Sequence, residues 1–291
     1  MKKKSLLLLA LFTMIFVTGC FEKKEVELSP IDVLGKSIEN LKDVKSLEVV
    51  STIKAKYEQD GVSVNIEIPF SVATSEDKDS FAMKMAIGDN MFIGAMDAYF
   101  LEDSTTNSLN IYFPSTICDM FLGTNSEDEV WLHYNMTLDE ITDSTEDVDF
   151  EESLEKIKNL DYKKVIGENF VYVDSNEGIN HYQLTLNDAL VQRLATELGQ
   201  EIDKMEGEIK LHVYISQEYY NITKITTDLK DMLVANADEE DVETINESIE
   251  EFSLSFEFKN INNTNVTMPE EIKNNAMEAA EYIANNLEIE E

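Results

Sequence analysis

Two long stretches alternate with a period of two, and they leave little freedom of architecture. Leu47, Val49, Ser51, Ile53, Ala55 and Tyr57 share one side of an extended chain, with Glu48, Thr52, Lys54 and Lys56 on the other. Asp60-Gly61 then supplies a hairpin turn signal. Beyond it Val62, Val64, Ile66, Ile68, Phe70 and Val72 alternate with Ser63, Asn65, Glu67 and Ser71. A strand with one apolar face must bury that face against another layer. Pro69 lacks an N–H and belongs at an edge or a bulge.

The same style runs through the rest of the chain. Phe81, Met83, Met85 and Ile87 alternate before a turn at Gly88-Asp89-Asn90, and Met91–Leu101, Leu109–Phe113 and Val130–Met136 read as further strands. Residues 114 to 129 read as irregular, and a short helix is expected at 153 to 159 after an acidic stretch. Tyr162–Asp174 and Gly178–Leu186 form a hairpin pattern, and strands resume at Glu208–Ser216, Tyr219–Leu229 and Phe252–Phe258. Helices interrupt these strands. Ser29-Pro30-Ile31-Asp32 is a helix start, with Ile31, Leu34, Ile38 and Leu41 forming one stripe over residues 30 to 43. Asn187 caps a second helix with Leu190, Leu194, Leu198 and Ile202 on one face, and 238 to 250 reads as an acidic third. Thr267-Met268-Pro269-Glu270 has capping-box form before a terminal helix carrying Ile272, Ala276, Ala279, Ile283 and Leu287. The expected class is α+β: a large curved antiparallel sheet of about eleven strands wrapped over a few amphipathic helices. No Gly-, Ser- or Pro-rich linker divides the chain, so residues 30–291 read as one domain.

The N-terminus carries an address. Lys2, Lys3 and Lys4 precede an apolar run from Leu6 to Val17, too short for the ~20 residues that a bilayer span requires. The run ends in Val17-Thr18-Gly19-Cys20, which resembles the lipobox of bacterial lipoproteins, although Val17 stands where leucine is commoner. That resemblance implies a signal peptide over 1–19, cleavage between Gly19 and Cys20, and a diacylglycerol on the Cys20 sulfur. Residues 20–29 then read as the lipidated cysteine and a tether. The expected location is the cell membrane, lipid-anchored and facing outside the cytoplasm.

Composition narrows the function. The formal net charge of −36 argues against nucleic acid, because a chain repelled by phosphates gains nothing from counterion release. Cys118 is the one thiol left after Cys20, so no internal disulfide is expected, and it reads as a small buried hydrophobe. His133, His181 and His212 are far apart in sequence and lack zinc spacing, and the acid runs lack the EF-hand pattern. No nucleophile elbow, P-loop, dinucleotide fingerprint or Cys-His pairing is present, so the chain reads as a non-enzyme without metal or cofactor. Six of the ten methionines beyond the leader lie between Met83 and Met136. Such enrichment suits ordinary gap-filling core and an adaptable apolar pocket alike. The candidate cavity residues are Met83, Met85, Met91, Phe92, Met96 and Met136.

The order of lipobox, tether, opening helix, long hairpin, middle helix among strands and closing Met268-Pro269-Glu270-Glu271-Ile272 resembles the LolA/LppX-like lipoproteins. LolA-like lipoproteins of low-GC Gram-positive bacteria are nearest in pattern. Leu47 to Val72, His181-Tyr182-Gln183-Leu184-Thr185-Leu186 and Tyr219 to Leu229 carry the likeness. It implies an unclosed barrel folded over helices, with an apolar cavity for acyl chains. The likeness implies a tethered carrier of a lipid or other hydrophobic ligand; the alternative expected from the acidic charge is a non-enzymatic interaction or assembly factor with an acidic docking face.

Overall fold

The computed structural model describes residues 28–59, 62–77, 80–88, 94–123, 129–137, 160–200, 202, 204–205, 207–235, 237 and 239–287. The strands are β1 (Ser46–Gln59), β2 (Val62–Asp77), β3 (Ser80–Ile87), β4 (Met96–Asp103), β5 (Ser108–Pro114), β6 (Trp131–Thr137), β7 (Phe170–Asn176), β8 (Ile179–Leu186), β9 (Ile209–Ser216), β10 (Ile222–Asp228), β11 (Ile249–Lys259) and β12 (Met277–Glu278). They form a mostly antiparallel sheet in the order β12-β6-β5-β4-β3-β2-β1-β11-β10-β9-β8-β7. The order does not close on itself, and the fold is α+β. Among the described residues it has twelve strands, in keeping with the about eleven expected, one of them the two-residue β12. The described residues fall into two compact units, one within Met1–Val44, Ser51–Glu67 and Val148–Phe258, the other within Lys45–Val50, Ile68–Asp147 and Lys259–Glu291.

In the first unit, helix α1 (Pro30–Leu41) starts as its sequence dictates. Ser29 caps it, accepting from the Asp32 amide, and Pro30 sits in the first turn. Its stripe buries Val33, Leu34, Ile38 and Leu41. Tyr162–Asn169, expected as strand, is instead a short helix α2 (Tyr162–Val165) and one 3₁₀ turn. Asp161 caps α2 by accepting from the Lys164 amide, a local bond that competes with strand. Helix α3 (Asp188–Leu198) is capped by Asn187 and stops at Gly199, φ +70°, so Ile202 lies beyond it. Leu211, Val213, Ile215, Ile225, Tyr182 and Leu186 occupy one face of β8 to β10 by register and are all buried. The acidic helix spans Glu239–Ser248 and follows a short helix, Lys230–Ala235.

In the second unit, residues 115–122 form a helix (Ser115–Leu122) where irregular chain was expected. Its first turn is fixed by a pair of bonds, Ser115 N–H to the Val130 carbonyl and Val130 N–H to Ser115 Oγ. Gly123, φ +70°, ends it. The terminal helix is also corrected, because it is broken in two. Glu270–Asn275 is helical, Ala276 is extended, Met277–Glu278 pairs parallel with Leu132 and His133, and Ala279–Leu287 is helical again. The break has a packing cause. Ile272 and Ala276 pack against Tyr99 and Tyr112 on one sheet face, whereas Ala279 and Tyr282 pack against Leu132 on the other. A continuous helix could not cross the β6 edge between those faces. The capping box does not form either: the N-cap is Pro269, with no side-chain cap bond. The Asp60-Gly61 turn and the expected helix at 153–159 lie outside the described residues.

Candidate functional site

Register decides which of the predicted cavity residues come together. Met83 pairs with Phe100, Phe100 with Ile111 and Ile111 with Tyr134, so these four side chains form one row across β3 to β6. Met85 pairs with Ala98, Ile87 with Met96, and Leu109 with Met136. Because side chains alternate along a strand, Met83, Met85, Met96 and Met136 all share this face. Met91 and Phe92, the other two candidates, lie outside the described residues, as do Gly19 and Cys20.

This face is only partly covered. Of its side chains on β3 to β6 only Leu132 is buried, and Met85 and Tyr134 are each 41% exposed. The opposite face, with Tyr99, Tyr112, Lys84 and Asp97, is the one that the closing segment covers, burying Tyr99 and Tyr112. Among the described residues, cover on the methionine face is concentrated at one end. There Cys118, Phe113 and Val130 pack with Leu132, Ala279 and Tyr282, and Tyr282 donates its hydroxyl hydrogen to Asp119 Oδ1 at 2.9 Å. Thr116 Oγ1 lies 3.5 Å from Met96 Sδ, so this helix borders the methionines. Met120 and Phe121 project from its last turn, Phe121 with 87% of its surface exposed. Burial, with Asp119 second, pushes the Cys118 thiol up, which keeps it protonated and unreactive.

The histidines are less dispersed than their spacing suggested. His181 and His212 come together on the polar face of β8 and β9, where Gln183 pairs with His212 and His181 with Tyr214. His181 Nε2 lies 2.9 Å from His212 Nδ1, and the His181 ring stacks on Tyr214 at 4.7 Å. Asp174 Oδ1 is 3.4 Å from His181 Nδ1. The alternation of both strands could have flagged a shared face, but only the register joins the rings. His133 stands apart, with Glu278 Oε1 2.8 Å from Nδ1 and Asn110 Oδ1 3.0 Å from Nε2. Among the described residues, no group of three His, Cys, Asp or Glu side chains could hold a metal ion. No helix among them is long and apolar enough to cross a membrane.

No protein-family model matches the chain, and no curated protein matches it. Among solved structures it is similar to a DUF1329 family protein from Desulfovibrio piger, at 11% identity over 83% of this chain and 94% of that one, with a TM-score of 0.25.

Proposed function

We propose that the protein is a membrane-anchored extracytoplasmic lipoprotein that holds a lipid or another hydrophobic molecule against the face of Met83, Met85, Met96 and Met136. One observation carries the reading: apart from Glu102 this face is apolar and polarizable across β3 to β6, yet most of it is only half-buried. Methionine's unbranched thioether adapts to irregular ligands, and Phe100, Ile111 and Leu109 add rigid apolar area beside it. In this reading the sheet curves over its helices, Cys20 carries the acyl anchor, and Gly19 precedes the cut. The role is carriage or presentation, without catalysis.

Native mass spectrometry of the mature chain, purified gently from its own host, tests the proposal. A reproducible extra mass that leaves on denaturation and is recovered as a lipid supports it. A clean unliganded mass, with no uptake of a fluorescent fatty acid, overturns it.

A further inference from the structure

We propose that the outer edge of β7 docks an extended segment of a partner polypeptide whose apolar side chains alternate with basic ones. β7 ends the sheet order, so one side of its backbone has no neighbouring strand among the described residues. Open edges are ordinarily blunted by lysine, proline, brevity or a cover. The other end of the sheet is handled in that way, with a two-residue strand carrying Glu278. β7 is not. Its sequence Phe-Val-Tyr-Val-Asp-Ser-Asn has neither lysine nor proline. Val171, Tyr172 and Val173 are 44%, 51% and 45% exposed, in a run where every residue from 171 to 179 is exposed. Three consecutive large apolar side chains on an open edge form a template for strand addition.

The charge around the edge selects the occupant. Asp174 lies on it, and the exposed Glu168 and Glu177 flank it. Among the described residues no lysine or arginine pairs with any of the three; Asp174 faces only His181. A second copy would bring these acids together on two chains of formal net charge −36 each. A basic segment meets them with opposite charge. The register divides the incoming side chains. Val171 and Asp174 share the face of Gln183 and His181, while Tyr172 lies on the face of Tyr182. Basic residues therefore belong on the first side and apolar ones beside Tyr172. Val173, the extra residue of a bulge, has no counterpart on β8.

Hydrogen exchange on the full chain tests this with three probes: a capped peptide of alternating valine and lysine, the same peptide with glutamate for lysine, and the lysine peptide N-methylated on alternate amides. The lysine peptide should slow exchange within residues 170–176, less so as salt rises, and the other two should not. The Asp174→Lys variant, changed at an exposed position, should shift preference toward the glutamate peptide. Absence of protection by the lysine peptide, equal protection by the glutamate peptide, or an unshifted preference in the variant each overturns the proposal. Protection that grows with protein concentration alone, alongside a dimer mass, assigns the edge to a second copy and overturns it too.

Discussion

His181 and His212 meet nitrogen to nitrogen across β8 and β9, with Nε2 of one 2.9 Å from Nδ1 of the other. A hydrogen bond between two imidazoles needs one donor and one acceptor, so both rings cannot be doubly protonated and keep it. Burial holds the His212 ring below its ordinary value of 6.5, and His181 and Lys210 push the same way. The unfolded chain therefore takes this proton more readily than the folded one. The stability linked to His212 is whole above the unfolded value and is lost as pH falls through the depressed folded value. Thermal melts from about pH 8 down to about pH 5 should show a smaller acid loss for His212→Gln than for the parent. Equal losses would remove His212 from the account.

Gly88 closes β3 against Pro69. Its amide donates to the Pro69 carbonyl at 2.8 Å, and a Cβ placed on it would lie 2.6 Å from Pro69 Cγ. Gly88→Ala should cost about 1–3 kcal/mol in urea unfolding, because the proline ring has little room to yield. Gly94→Ala, where a Cβ meets nothing within 4 Å, is the control and should stay within about 0.5 kcal/mol.

The methionine face separates binding from stability. Changing Met83, Met85 and Met136 together to Gln should cut fatty-acid uptake by about tenfold or more, equivalent to ~1.4 kcal/mol. These positions are incompletely buried, so the melting temperature should move little. Leu211→Ala, at a site 2% exposed, should instead cost about 2–5 kcal/mol. A triple variant that melts as low as Leu211→Ala would make the face an ordinary core.

Two of the side-chain bonds that tie the closing segment down are unequal. Tyr282→Phe removes the buried donor to Asp119 and should cost about 1–3 kcal/mol. Glu278→Gln disturbs only an exposed partner of His133 and should cost no more than about 1 kcal/mol. Hydrogen exchange at residues 270–287 should rise in the first variant and barely change in the second.

Alternation made most of the sheet legible. Each of β1 to β6 and β8 to β11 falls within a few residues of its expected span, because period two reports a half-covered strand directly. Register was not legible, and the sites depend on it. Nothing in the spacing of His181 and His212 tells that Gln183 pairs with His212. Local bonds overrode pattern elsewhere. Asp161 turns the start of an expected strand into helix, and the Ser115–Val130 pair organises a helix in a stretch without clear period. The terminal stripe of Ile272, Ala276 and Ala279 is real, but its members serve opposite sheet faces, a division that periodicity cannot express. The methionines were legible as a cluster; their sharing one face required the pairing of β3 to β6.

The strap that crosses the β6 edge also sets an order of events during biosynthesis. His133 and Glu278 are 145 residues apart in the chain. While residues 134 to 277 are being made, Tyr99, Tyr112 and Leu132 have no cover from the strap, and the β6 edge has no partner from β12. The second unit is therefore finished only once residues 270–287 have emerged, long after its own strands. Until then its open edge is available for unwanted pairing, and a nascent chain of this kind needs a chaperone most during that interval.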